Sequence, residues 1–158
     1  MFSHPTEVVT DLVAARVICW FVDDCYGMLN YIQATRQFLI KPRSLEDYLK
    51  DPKPTGYRAL HILADVSYDR VKTLAEQHTI VEDRLICEIQ IRTKLQNAWS
   101  EFTHEVHSKV PTEFQADYET AIAKIAHNLA HEDQSALAVR NILQRLAEKK
   151  ELDDFRKN

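Results

Sequence analysis

The stretch RLICEIQIR, residues 84–92, decides the fold because its side chains alternate between two kinds. One set is apolar and consists of Leu85, Cys87, Ile89 and Ile91. The other set is mainly polar and includes Glu88, Gln90 and Arg92. A period of two residues predicts a β-strand with one face in the core. A strand face that carries an acid, an amide and a guanidinium in succession presents either chemistry or a wetted surface.

The segments before this strand predict a helix between further strands. Residues 16–22, RVICWFV, are β-branched or aromatic almost throughout, which favours a strand buried on both faces. Residues 24–34 carry an apolar stripe at helical spacing, and Asp23 and Asp24 at the start of this segment are suited to capping a helix. Residues 60–66 alternate again, with His61 on the more polar face. For residues 69–78 a short helix and an irregular excursion both stay open.

The segments after it are helical. Residues 93–109 show an apolar stripe, and Asn97 shares another face with Glu101 and His104. Beyond Pro111 the pattern fits either two helices or a single bent one, ending in the charged residues 148–158. The sequence therefore predicts an α+β fold, a β-sheet with helices packed on it, followed by a C-terminal helical tail.

Composition limits the classes of function. The chain has 158 residues, a net charge of −4 and two glycines, Gly27 and Gly56, so it has room for one domain and for neither a GxGxxG loop nor a P-loop. It has no apolar run of membrane-spanning length and no basic leader, which predicts a protein without a membrane segment. Three cysteines without a CxxC pair favour free thiols and a cytoplasmic location.

Two local features suggest a nucleotide site, and each has a plainer alternative. Residues 36–58 hold six Lys/Arg against three Asp/Glu, and Tyr57 near the end of this loop could stack a base. The alternative is a solvated surface turn. Asp11 and Glu88 are carboxylates beside predicted strands and could hold Mg²⁺. The alternative makes Asp11 a turn or cap residue and Glu88 an exposed strand position.

Three segments, taken in order, resemble the RelA/SpoT-type alarmone synthetases. DLVAARVIC (residues 11–19) resembles that family's D-[IL]-x-G-x-R-V strand, and YLKDPKPTGYRALH (residues 48–61) resembles its DYI-x-x-PKPNGYRSLH loop. EIQIRT (residues 88–93), followed by Asn97-Ala98-Trp99 and His104, resembles its E-[IV]-Q-I-R-T…W…H signature. The resemblance covers about residues 11–110 and implies a nucleotidyltransferase-like synthetase fold with a mixed β-sheet.

The resemblance also implies an activity, the transfer of pyrophosphate from ATP to the 3′-hydroxyl of GDP or GTP. Carried over by position, the guanine nucleotide would be bound by Lys53, Tyr57, His61, Gln90 and Asn97. In that set Tyr57 would stack the base, Asn97 would bond its edge, and Lys53 and His61 would contact phosphates. Arg16 would bind ATP. Asp11 and Glu88 would be catalytic and hold Mg²⁺, with Glu88 also activating the hydroxyl.

The sequence departs mildly from the family pattern at Ala14, Thr55 and Ala59, and more seriously before Asp11. The family has an Arg-, Lys- and Ser-rich run there that grips ATP, whereas the ten residues before Asp11 contain no Lys or Arg. We therefore expect a synthetase core over residues 1–110 that lacks its amino-terminal part, extended by helices over residues 111–158. The resemblance also implies a dimer or tetramer held by terminal helices.

Two other interpretations stay open. One is a catalytically inactive remnant that at most binds guanine nucleotides. The other is a synthetase-type toxin with another acceptor, such as an adenine nucleotide or a tRNA end. The net charge of −4 makes a nucleic-acid partner the less favoured expectation.

Overall fold

A computed structural model describes residues 13–74 and 77–157. Its strands are β1 (Val13–Cys19), β2 (Phe38–Ile40), β3 (Glu46–Asp47), β4 (Leu60–Leu74) and β5 (Gln77–Thr93). Its α-helices are α1 (Val22–Ala34), α2 (Lys94–His107) and α3 (Gln115–Lys157), and a single 3₁₀ turn (Thr112–Phe114) precedes α3.

Within these ranges the strands form one mixed sheet in the order β1-β5-β4-β2, with β3 also paired to β4. β1 runs parallel to β5, whereas β2, β3 and β5 are antiparallel to β4. The expected α+β class, with a mixed sheet and a C-terminal helix, is confirmed.

The core lies between one face of this sheet and α1. The helix contributes Cys25, Leu29 and Ile32, and the central strands contribute the residues that alternate in sequence, Leu60, Ile62, Ala64, Cys87, Ile89 and Ile91. Burying an Ile or Leu side chain stabilises a fold by roughly 1.5–3 kcal/mol. The core therefore fixes which face of β4 and β5 points inward, and their polar residues are directed to the opposite face.

The first strand differs from its prediction. β1 ends at Cys19 rather than at residue 22, and it lies at the edge of the described sheet with most of its residues exposed. The expectation of a strand buried on both faces was therefore wrong. The chain turns early because the Asp24 carboxylate accepts the backbone N–H of Phe21 at 3.2 Å, so that α1 starts at Val22. A carboxylate there also suits the helix N-terminus.

Residues 69–78 were expected to be a short helix or an irregular excursion, and both expectations were wrong. β4 and β5 stay paired from Leu60 opposite Ile91 out to Leu74 opposite Gln77. The far part is a two-stranded ribbon on which the paired residues Val71 and Ile80 are 62% and 72% exposed. A ribbon without a buried face needs no alternation of apolar and polar residues, so the sequence of residues 69–78 did not indicate a strand.

Beyond Pro111 the sequence left open two helices or one bent helix. The structure has one, since α3 is a single helix of 43 residues. Arg140 joins it to the start of α1, with nitrogens 2.9 Å from a carboxylate oxygen of Asp23 and 2.8 Å from one of Asp24. Asp133 joins it to the end of β5 and to α2. No helix in the described part of the chain is both long and apolar enough to cross a membrane.

Candidate functional site

Three of the predicted site residues lie side by side on the polar face of the sheet. Gln90 of β5 pairs with Arg16 of β1 on one side and with His61 of β4 on the other. Residues paired directly across neighbouring strands project to the same face. The sheet register therefore brings together side chains that are up to 74 positions apart in the sequence.

Five side chains on this face form a closed set of contacts, here called the polar ring: Tyr57, His61, Glu88, Gln90 and Arg92. His61 Nε2 lies 2.7 Å from Tyr57 Oη, and His61 Nδ1 lies 3.0 Å from Glu88 Oε1. Gln90 Nε2 donates to Glu88 Oε2 at 3.0 Å, and Arg92 Nη2 donates to Gln90 Oε1. The ring closes where the Arg92 guanidinium carbon lies 5.4 Å from the centre of the Tyr57 ring.

Burial sets the protonation states of the polar ring. It lowers the pKa of His61 below its ordinary value, and the Glu88 carboxylate only partly opposes this effect. Burial also raises the pKa of Tyr57, so the phenol keeps its proton. A neutral His61 then donates from Nδ1 to Glu88 and accepts at Nε2 from the tyrosine hydroxyl. Both carboxylate oxygens of Glu88 accept a hydrogen bond, which fixes the orientation of this side chain.

The loop before β4 places Tyr57 and Lys53 above this face. Lys53 Nζ lies 4.4 Å from the ring centre of Tyr48 and 5.4 Å from that of Tyr57, a cation held between two aromatic rings. Gly56 has φ +84°, and a Cβ at this position would collide with Ala126 of α3. The position of Tyr57 therefore depends on a glycine and on close packing against the C-terminal helix.

Two cavities beside Tyr57 share part of their lining. The larger, about 620 Å³, is lined by Lys53 and Thr55 of the loop and by side chains of α2 and α3. The smaller, about 420 Å³, is lined by residues that include Arg16, Gln90 and Arg92. Tyr57, Ser100 and His104 line both. Both volumes fall within the range of small-ligand pockets. The arrangement therefore offers room for two neighbouring ligands, with Tyr57 in the lining of both cavities.

Asn97 contacts Arg16, which lines the smaller cavity. Arg16 Nη1 donates to Asn97 Oδ1 at 3.4 Å, and both side chains also contact Glu101. The structure thus places Asn97 beside the residue predicted to bind ATP. The contact of Asn97 with the edge of the guanine base remains a prediction. Asp11, predicted to be catalytic and to bind Mg²⁺, lies outside the described residues.

Some cations of residues 36–58 stabilise the local fold, and one lines a cavity. Lys41 pairs with Asp65 at 2.6 Å, and Arg58 donates to the Leu49 carbonyl at 2.7 Å, so both support the local fold. Lys53 lines the larger cavity. The plainer interpretation as a surface turn holds for part of this loop, and the nucleotide interpretation rests on Lys53 and Tyr57.

Sequence reasoning missed Arg92 and Ser100 as site residues. Arg92 was identified as a member of the polar strand face but was given no role, although it is 2% exposed and completes the polar ring. Ser100 follows the buried Trp99 in α2 and lines both cavities. The helical period alone does not identify it as a cavity residue.

The Glu88 carboxylate at this face is a ligand that suits a hard cation. In the described part of the chain no three His, Cys, Asp or Glu residues form a cluster that could hold a metal ion on its own. Glu88 is the acidic member of the polar ring. Mg²⁺ is usually bound by one or two carboxylates and completes its coordination with water and substrate phosphates. The donor set therefore fits Mg²⁺ bound together with a nucleotide.

Comparisons with known proteins agree with this geometry. A family model described as a region found in RelA/SpoT proteins matches residues 3–113. The chain is 28% identical over 138 residues to the GTP pyrophosphokinase YwaC of Bacillus subtilis, covering 85% of this chain and 59% of that protein. It is 31% identical over 106 residues to the GTP pyrophosphokinase YjbM of the same organism, covering 67% of this chain and 46% of that one.

Solved structures show the same fold. Small alarmone synthetase 1 of B. subtilis, bound to its product pppGpp, superposes with a TM-score of 0.72 at 24% identity, over 87% of this chain and 65% of that one. Small alarmone synthetase 2 of B. subtilis gives a TM-score of 0.70 at 25% identity, over 85% and 69%. The chain spans about half the length of the two curated relatives described above.

Proposed function

Because this chain belongs to the RelA/SpoT family, we propose that it transfers pyrophosphate from ATP to the 3′-hydroxyl of GDP or GTP, giving ppGpp or pppGpp. The observation that carries the proposal is the pair of cavities that share Tyr57 in their lining, together with Glu88, which is hydrogen-bonded within the polar ring. Such a transfer consists mainly of positioning two nucleotides and neutralising their charge.

In this proposal the larger cavity takes the guanine nucleotide. Tyr57 stacks the base, and Lys53 and His61 contact the phosphates. The contacts of Lys53 with the rings of Tyr48 and Tyr57 support this role, since they already hold a cation beside an aromatic face. Gln90, which lines the smaller cavity, and Asn97, which contacts Arg16, would complete the contacts to the guanine nucleotide from the side where the two cavities share lining residues.

ATP would lie on the side of Arg16, which is exposed and lines the smaller cavity. A guanidinium there can stack on a base or pair with a phosphate. The adjoining cavities would then bring the acceptor hydroxyl and the ATP phosphates to the same stretch of β5, where Glu88 lies. This arrangement supports Glu88 as the group that orients the 3′-hydroxyl and accepts its proton.

Mg²⁺ would be held by Glu88 and Asp11 together with the nucleotide phosphates. When bound, the ion would neutralise charge on the phosphates during the transfer. Glu88 supports this assignment because it is the acidic member of the polar ring and keeps 24% of its side chain exposed.

The C-terminal helix belongs to the same proposal. We infer that residues 1–110 form the synthetase core and that residues 111–158 extend the same domain, since Asp133 and Arg140 of α3 bond to β5, α2 and α1. Val139, Ile142, Leu143 and Leu146 of α3 are each more than half exposed at a spacing of three and four residues. Such a face supports a dimer or tetramer formed by a second copy of this helix. A cytoplasmic location, where ATP and GTP are available, completes the proposal.

A turnover assay tests the function. Purified protein is incubated with labelled ATP, Mg²⁺ and either GDP or GTP, and the products are separated by charge. The proposal expects a new tetra- or pentaphosphate that is absent with the Glu88→Gln variant. Binding of GDP without any product would instead favour a non-catalytic guanine-nucleotide protein. A product with an adenine nucleotide or tRNA acceptor would favour the toxin alternative.

A further inference from the structure

Arg92 is a buried cation whose surroundings satisfy it incompletely. Its side chain is 2% exposed, and its Nε and Nη1 have no hydrogen-bond partner among residues 13–74 and 77–157. Its hydrogen bond goes to the neutral amide of Gln90, not to a carboxylate. A buried charge without a directly paired countercharge destabilises a fold, often relative to an apolar side chain of similar size. Stabilisation of the fold therefore does not explain why an arginine occupies position 92.

The contacts that Arg92 does make all lead to the site. Its guanidinium lies against the ring of Tyr57 and donates to Gln90 Oε1, which turns the Gln90 amide nitrogen toward Glu88. The orientation of the Gln90 amide therefore follows from Arg92, and one of the two hydrogen bonds to Glu88 follows from Gln90. Arg92 thus acts at the same time on the loop that presents Tyr57 and on the carboxylate.

We propose that Arg92 is a positioning residue that fixes Glu88 relative to Tyr57. The inference rests on the proposed function, in which these two side chains act on the hydroxyl and on the base of one acceptor nucleotide. Without the guanidinium, the Gln90 amide is free to rotate and Glu88 loses a fixed donor. Misplacement of a reacting group by about 1 Å can lower a rate by about a hundredfold.

Arg92→Met and Arg92→Lys test this role, with Arg84→Met as the matched control. Arg84 lies on the same strand, keeps 42% of its side chain exposed and lies 3.9 Å from Glu82. We expect Arg92→Met to melt at or above the wild-type temperature, because it removes the unpaired charge. We expect kcat to fall about tenfold or more in both Arg92 variants, since lysine lacks the planar fork. Arg92 also lines the smaller cavity, so a KM for ATP that stays within about twofold separates a role through Glu88 from direct contact with ATP, and this is the result that we expect. Arg84→Met should match wild type.

Two results would overturn the inference. One is a kcat within about twofold of wild type in both Arg92 variants. The other is a loss of kcat accompanied by a lower melting temperature in Arg92→Met, which would make Arg92 a structural residue.

The same variants separate this inference from the proposed function. If wild-type protein forms no alarmone, the proposed function fails, and Arg92 is then judged by calorimetric GDP binding. If Arg92→Met binds GDP more weakly but keeps its melting temperature, the result supports the role of Arg92 in positioning Tyr57. Unchanged affinity refutes it.

Discussion

The Nε2 atom of His61 lies 2.7 Å from the hydroxyl of Tyr57, so the loop before β4 is hydrogen-bonded to the sheet at its one predicted stacking residue. The ring of Tyr57 meets Tyr48 and His61 edge to face, with ring planes at 69° and 77°. The hydroxyl therefore holds the ring in place, and the ring itself supplies the proposed contact with a base. Substitutions can separate these two contributions.

Tyr57→Ala removes both contributions and should weaken GDP or GTP binding by roughly 1–3 kcal/mol, the usual contribution of a base stacked on an aromatic ring. Tyr57→Phe is the matched control, because it keeps the ring and loses only the hydrogen bond to His61. Its affinity should stay closer to wild type, with a cost of about 0.5–1.5 kcal/mol at most. Isothermal titration with GDP measures both, and equal affinity of Tyr57→Ala and wild type would rule out the stacking role.

Glu88→Gln should abolish turnover and leave the fold intact. The amide keeps the size of the side chain but has neither the charge that binds a cation nor the basicity that accepts a proton. Glu82→Gln serves as the control, since Glu82 lies on the exposed part of the same strand. Product formation and thermal melting are measured for both variants. Activity near wild type in Glu88→Gln would contradict the assignment.

The inner parts of β4 and β5 were predictable from the sequence because each has one buried face, whereas the short strands β2 and β3 were not predicted. Ile89 and Ile91 alternate with Glu88 and Gln90, and the structure buries the first pair and directs the second to the polar face. Alternation gives no information about a strand without a buried face. This is why the ribbon around Val71 and Ile80 was not predicted, and why the exposed edge position of β1 was missed.

The site was predictable only in part, because its geometry depends on contacts between distant segments. The motif on β5 identified Glu88 and Gln90, but the polar ring closes through Arg92 and Tyr57, which are 35 positions apart. The packing of Gly56 against Ala126 joins the loop to a helix that no motif connects with it. Spacing within one element predicts a shared face, whereas such tertiary contacts need the fold.

The two glycines offer a paired test of the loop geometry. Gly56→Ala should destabilise the protein, because φ +84° strains an alanine by about 1–3 kcal/mol and its Cβ would collide with Ala126. It should also weaken GDP binding by displacing Tyr57. Gly27→Ala should do the opposite and stabilise by about 0.5–1 kcal/mol, since Gly27 lies inside α1 with no atom within 4 Å of the added Cβ. Urea denaturation compares the two, and a Gly56→Ala protein as stable as wild type would refute the strained turn.

The buried carboxylate of Asp133 should make the stability of the folded protein depend on pH. Its carboxylate is 3% exposed and accepts from Thr93 Oγ1 at 2.9 Å and from Gln96 Nε2 at 2.8 Å. Burial raises the pKa of Asp133 above its ordinary value, and these two hydrogen bonds only partly oppose the shift. The folded state therefore holds this proton to higher pH than the unfolded state. The stability that it contributes is full below the unfolded pKa of about 4 and is lost as the pH rises through the folded pKa.

Asp133→Asn should remove this loss, because an amide carries no charge at any pH and its oxygen still accepts hydrogen bonds. We expect the difference in unfolding free energy, variant minus wild type, to rise as the pH increases from about 4 through the folded pKa and then to level off. Asp133→Leu, the control, loses both hydrogen bonds and should be destabilised by about 1–3 kcal/mol through the unpaired Thr93 and Gln96. Urea denaturation across this pH range measures the difference. A constant difference between Asp133→Asn and wild type would show that the buried carboxylate has an unshifted pKa.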